Sequence, residues 1–157
     1  MKMIVFTLFM MLATVAFSLE GNIQFKGKGH LNNGGEQKEY KVSVELSRSD
    51  TGETVMTENY YFSEDHQKQL SFTLVPSDRE GCFQVQKEGE AIGKGCCRVV
   101  PERGIKECQM ALDAGEIKAR RRMVFNKEQK TLVRSGVTRK QDQTIFWRDR
   151  LRAVPAE

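Results

Sequence analysis

The chain has 157 residues, with 25 Lys and Arg against 21 Asp and Glu, for a formal net charge of +4. Hydrophobic residues make up 39% and no low-complexity segment is present, which excludes a disordered polyelectrolyte. There are only two histidines, His30 and His66, and no His-Glu-x-x-His, Gly-x-Ser-x-Gly or phosphate-cradling glycine loop. Those absences argue against a metal site, a cofactor and an enzyme.

The start of the chain reads as a leader. Met1-Lys2 is positive, and the 15 residues from Met3 to Phe17 carry no charge. Ala16-Phe17-Ser18 then places small residues where a signal peptidase cuts. The apolar run is shorter than the roughly 20 residues a bilayer span needs. Residues 1–18 are therefore expected to be a signal peptide and residues 19–157 a single β domain, enough chain for one core. Export, periplasmic or secreted, would place the cysteines in an oxidising space.

Period-two alternation dominates the chain beyond the leader. Ile23, Phe25, Gly27, Gly29 and Leu31 share one face of a first strand, closed by the turn Asn32-Asn33-Gly34-Gly35. Tyr40, Val42, Val44 and Leu46 alternate with polar residues, and Ser49-Asp50-Thr51-Gly52 turns the chain. Thr54 to Phe62 is rich in residues that suit a pleated surface. Leu70, Phe72 and Leu74 alternate before Pro76-Ser77-Asp78, and Phe83 and Val85 mark a further strand. Strands at Cys96–Val100 and Ile105–Leu112 flank Pro101-Glu102-Arg103-Gly104, a tight turn with its glycine last. Ile117–Phe125, Thr131–Val137 and Thr144–Val154 complete the set. Helix-forming residues between Ile105 and Met123 leave room for one short helix, interrupted at Gly115. The expectation is an all-β protein, an antiparallel meander of about nine or ten short strands forming a small barrel or sandwich.

Cys82, Cys96, Cys97 and Cys108 are expected to form disulfides. Adjacent Cys96 and Cys97 point to opposite faces of a strand, so they do not bond each other, and two pairings remain. A three-residue loop centred on Gly89 puts Cys82 opposite Cys96, and a tip at Glu102-Arg103 puts Cys97 opposite Cys108. That register favours Cys82–Cys96 and Cys97–Cys108.

Charge is unevenly distributed. Residues 19–117 hold 12 basic against 17 acidic residues, whereas residues 118–152 hold 12 basic against 3 acidic. Lys118, Arg120 and Arg122 share one strand face, as do Arg148, Arg150 and Arg152. If both faces point outward, six cations stand together as a contact for an anionic envelope component, including peripheral contact with a membrane. Export and sparse aromatic interleaving argue against nucleic acid. On the opposite faces, Arg121 falls with Ile117, Ala119 and Met123, and Asp149 falls with Ile145, Trp147 and Leu151. A charge on an apolar face requires a partner. Either Arg121 and Asp149 meet inside a barrel beside Trp147, as the polar anchor of a small apolar ligand, or a strand slip or bulge turns one of them to water.

Ser135-Gly136-Val137 followed by Phe146-Trp147 resembles the Ser-Gly…Trp segment of the periplasmic inhibitors of c-type lysozyme, over 13 residues. The resemblance implies a disulfide-bonded β-barrel whose Ser-Gly loop, with Ser135 inserting, enters an enzyme cleft. This sequence departs from that pattern at Arg139, at Arg148-Asp149-Arg150, and in having no cysteine after Cys108. The reading overall is an exported binding or structural protein of the cell envelope, with a lysozyme or protease inhibitor as the alternative.

Overall fold

The computed structural model describes residues 23–155, so the expected signal peptide lies outside the described residues. Ten strands follow one another: β1 (Ile23–Asn33), β2 (Glu36–Arg48), β3 (Thr54–Tyr61), β4 (Gln67–Pro76), β5 (Cys82–Lys87), β6 (Glu90–Val100), β7 (Ile105–Leu112), β8 (Ile117–Asn126), β9 (Thr131–Lys140) and β10 (Gln143–Ala153). Each pairs antiparallel with its neighbours in sequence, and β1 pairs with β10 to close the ring. The expected meander is therefore a barrel rather than a sandwich. Closure leaves no sheet edge exposed.

The turns are built on residues that accept a left-handed backbone. Gly34 and Gly35 join β1 to β2 with φ of 62° and 95°. Glu88 and Gly89 join β5 to β6 with φ of 53° and 84°. This loop has two residues where three were expected. The register nevertheless comes out the same, because β6 carries one extra residue, Ile92, between Ala91 opposite Gln86 and Gly93 opposite Val85. Cys82 consequently faces Cys96, and Cys97 faces Cys108 across the Pro101–Arg103 turn. Both disulfides form in that pairing. The helix-forming stretch resolves into strands β7 and β8, joined by a single 3-10 turn at Asp113–Gly115. Strand pairing on both sides overrides local propensity there.

The interior is layered. At one level, Phe25, Val42, Val44, Leu132 and Leu151 are buried, with Met123 and Phe125 packed against them. Phe25 and Phe125 meet edge to face, with ring centroids 6.3 Å apart. The next levels of the barrel interior carry charge.

Candidate functional site

Two inward-facing registers build the polar layers. In one, Met123, Arg134, Asp149, Gly29 and Tyr40 lie side by side across β8, β9, β10, β1 and β2. Gly29 has no side chain between Asp149 and Tyr40, so the Tyr40 hydroxyl reaches across β1 and donates to Asp149 Oδ1 at 2.5 Å. A methyl group at Gly29 would collide with that carboxylate oxygen and stand 2.6 Å from the Tyr40 ring. In the next register, Cys97, Cys108, Arg121, Gly136 and Trp147 lie side by side across β6, β7, β8, β9 and β10. Gly136 repeats the device. The Trp147 ring lies over it, 2.5 Å from where a Cβ would be, and approaches the Arg121 guanidinium at 5.5 Å from the ring centroid.

Arg134 is the hub, with only 3% of its surface exposed. It donates Nη2–H to Asp149 Oδ2 at 2.5 Å and Nε–H to the same oxygen at 3.1 Å, while Nη1–H goes to Glu58 on β3. Glu58 also accepts from Arg121 at 3.2 Å and from the Tyr60 hydroxyl at 2.7 Å. Glu58 and Asp149 are both fully enclosed. Among the described residues, no buried side-chain polar atom lacks a partner. Satisfaction of that kind is what makes a buried charge cluster tolerable.

These contacts set the titration of the cluster. Burial alone raises the Glu58 carboxyl, but the Arg121 and Arg134 charges and the hydrogen bonds from Tyr60 and Arg134 outweigh it and hold it at about 2, against an ordinary 4.5. Burial and the Asp149 carboxylate push the Tyr40 hydroxyl well above the ordinary tyrosine range. Burial and Glu58 do the same for Tyr60. Burial disfavours the Arg134 charge, but Glu58 and Asp149 more than compensate and raise it. Because the folded Glu58 value lies below the unfolded one, its stabilisation is present above 4.5 and lost as pH falls toward about 2. That loss is on the order of 3 kcal/mol. Urea unfolding across this interval should show the decline, and Glu58→Gln should flatten it. An equally steep decline in the variant would place the proton uptake elsewhere.

Arg121, Trp147 and Asp149 thus face inward at one site, as their strand faces imply. Arg121 and Asp149 do not bond each other, however. Glu58 and Arg134 stand between them, and each expected ligand anchor is engaged by a protein group. Arg134, Glu58, Tyr40 and Tyr60 join the site without having been expected there. The signal was available for the two charged residues: Arg134 sits on a face with Leu132 and Gly136, and Glu58 on a face with Met56 and Tyr60.

Ser135 does not occupy a loop. It lies in mid-strand, paired with Arg122 on one side and Arg148 on the other. His30 is exposed on β1, between Arg148 and Glu39 in register. His66 lies against the Phe62 ring at 5.2 Å.

The outer face carries the other concentration of charge. Lys118, Arg120, Arg122, Arg148, Arg150 and Arg152 are all exposed. Arg122 lies 3.7 Å from Glu107. Among the described residues the other five have no carboxylate within 4.0 Å. Closure adds cations that lie far away in sequence. Arg150 stands opposite Lys28, which stands opposite Lys41, and Arg152 stands opposite Lys26. Like charges directly opposite on one face of a sheet repel.

No family model and no curated protein sequence matches this chain. Its structure is similar to the crystal structure of Rv2717c from M. tuberculosis, with a TM-score of 0.59 over 92% of this chain and 98% of that one, at 17% identity. The likeness is one of fold, a closed antiparallel barrel, and it carries no chemistry from one protein to the other.

Proposed function

We propose that the protein is an exported binding protein of the cell envelope, periplasmic or secreted, that contacts a phosphate-rich anionic surface through the outer face of β8, β10, β1 and β2. The observation that carries this reading is the run of like charges Arg150–Lys28–Lys41 with Arg152–Lys26 beside it, directly opposed across neighbouring strands. An arrangement that costs free energy in the isolated protein is relieved by an anionic partner. The two disulfides suit a compartment outside the reducing cytosol, and the leader-like first 18 residues agree with export. A small apolar ligand inside the barrel has less support, because the groups that would anchor it already satisfy one another. The inhibitor alternative loses its inserting loop, since Ser135 is held in the sheet on both sides.

Co-sedimentation with vesicles containing an acidic phospholipid tests the proposal. Binding should be strong at low salt and fall steeply once the Debye length drops to about 8 Å, near physiological ionic strength. The variant Lys28→Gln/Arg150→Gln/Arg152→Gln should lose most of it. These side chains are exposed, so the fold should survive the change. Binding that ignores both salt and the triple substitution would overturn the reading.

A further inference from the structure

Beside the basic face, residues of β5 to β9 line an open depression of about 1440 Å³. Ligand pockets for small molecules run roughly 300–1,000 Å³, so there is room for a headgroup and the start of its chains. Five cations line it: Arg79, Lys94, Lys118, Arg120 and Arg139. No Asp or Glu lines it, although Asp113 and Glu116 flank the turn whose Ala114 and Gly115 do. Lys94, Ala111, Lys118 and Arg139 stand in one register across β6, β7, β8 and β9, with Lys118 directly opposite Arg139. Among the described residues none of the five has a carboxylate within 4.0 Å.

Apolar surface lies among these charges. Ala111 and Val137 occupy the same wall, and Ile92, the extra residue of β6, lines the hollow with no residue opposite it on β5. Bulges re-aim side chains and concentrate at functional sites. Phe146, 54% exposed, pairs with Val137 in the adjacent strand and prolongs the apolar strip. An anionic sugar polymer or free phosphate would use the cations and leave the apolar strip unsatisfied. A lipid with an anionic phosphate headgroup uses both.

We infer that this hollow is a discrete site for one acidic phospholipid molecule. Its phosphate would sit between Lys118 and Arg139 within reach of Arg120, and its first acyl carbons would lie along Ile92, Ala111 and Val137. The inference deepens the surface-binding reading and rests on it for the kind of partner; the hollow shares Lys118 and Arg120 of β8 with that face and adds Arg79, Lys94 and Arg139.

Calorimetric titration of the disulfide-intact protein with monomeric dihexanoyl phosphatidic acid, below its micelle concentration, tests it. Saturable binding of one lipid per chain is expected, weakened about tenfold or more by Lys118→Gln/Arg139→Gln. The variant Lys28→Gln/Arg150→Gln/Arg152→Gln should leave it within about twofold of the original. Dihexanoyl phosphatidylcholine and inorganic phosphate should each bind about tenfold more weakly, the first for want of net charge and the second for want of chains. Equal affinity for either would overturn the lipid assignment, as would indifference to the Lys118/Arg139 substitutions. Vesicle binding without monomer binding would remove the hollow and leave the surface reading intact. Monomer binding without vesicle binding would do the reverse.

Discussion

Replacing Arg134 by methionine should cost about 3–5 kcal/mol of unfolding free energy, the penalty for leaving buried charges without their partner. Arg134 donates to both Glu58 and Asp149, each fully enclosed. Without it, among the described residues, Asp149 keeps the Tyr40 hydroxyl, and Glu58 keeps Arg121 and Tyr60. Methionine fills much of the volume, so little of the loss reflects a cavity. Neutralising all three, as Arg134→Met/Glu58→Gln/Asp149→Asn, should recover part of the stability, because none of the three sites then carries an unpaired charge, although Arg121 loses its Glu58 partner. Equilibrium urea unfolding of the single and triple variants measures both. A loss below about 1 kcal/mol in the single variant would mean that the cluster is not shielded from water as its geometry requires.

The two disulfides should behave differently on removal, although their loops are similar. Cys82–Cys96 closes a separation of 14 residues and Cys97–Cys108 one of 11. Chain entropy alone assigns each about 3 kcal/mol. Cys108 is buried, directly opposite Arg121 in the barrel interior, whereas Cys96 is exposed on the outer wall. Cys97→Ser/Cys108→Ser should therefore destabilise beyond the entropic figure, by leaving two hydroxyls against a packed polar layer. Cys82→Ser/Cys96→Ser should stay near that figure. Equal losses in the two double variants, measured by urea unfolding without reductant, would show that the interior bridge contributes nothing beyond its loop.

The strands were legible because alternation is a local property. Tyr40, Val42, Val44 and Leu46 declare an inner face without help from the rest of the chain. Cysteine pairing was legible for a related reason, since hairpin turns set register over short distances. Ring closure was not, because nothing in Ile23–Asn33 or Gln143–Ala153 taken singly says that they are neighbours. That is why Lys26, Lys28 and Lys41 were absent from the expected basic face. The interior cluster was half legible. A charge on an apolar face identifies Arg121 and Asp149 as needing partners, but strand tilt around a barrel decides which partners arrive. Gly29 and Gly136 are the residues that permit those arrivals. Their role is visible only once the flanking strands are in place.

Nine of the ten strand junctions join segments adjacent in sequence, and one, β1 with β10, joins the two ends of the meander. Hairpins zip cheaply, while drawing the far ends together costs loop entropy before any contact offsets it. That last seam is also where Lys28 meets Arg150 and Lys26 meets Arg152. Sealing the ring and gathering counterions are thus coupled events. On the proposed surface-binding reading, an anion settling over the seam would act as a clasp, holding shut the one junction that chain connectivity does least to secure.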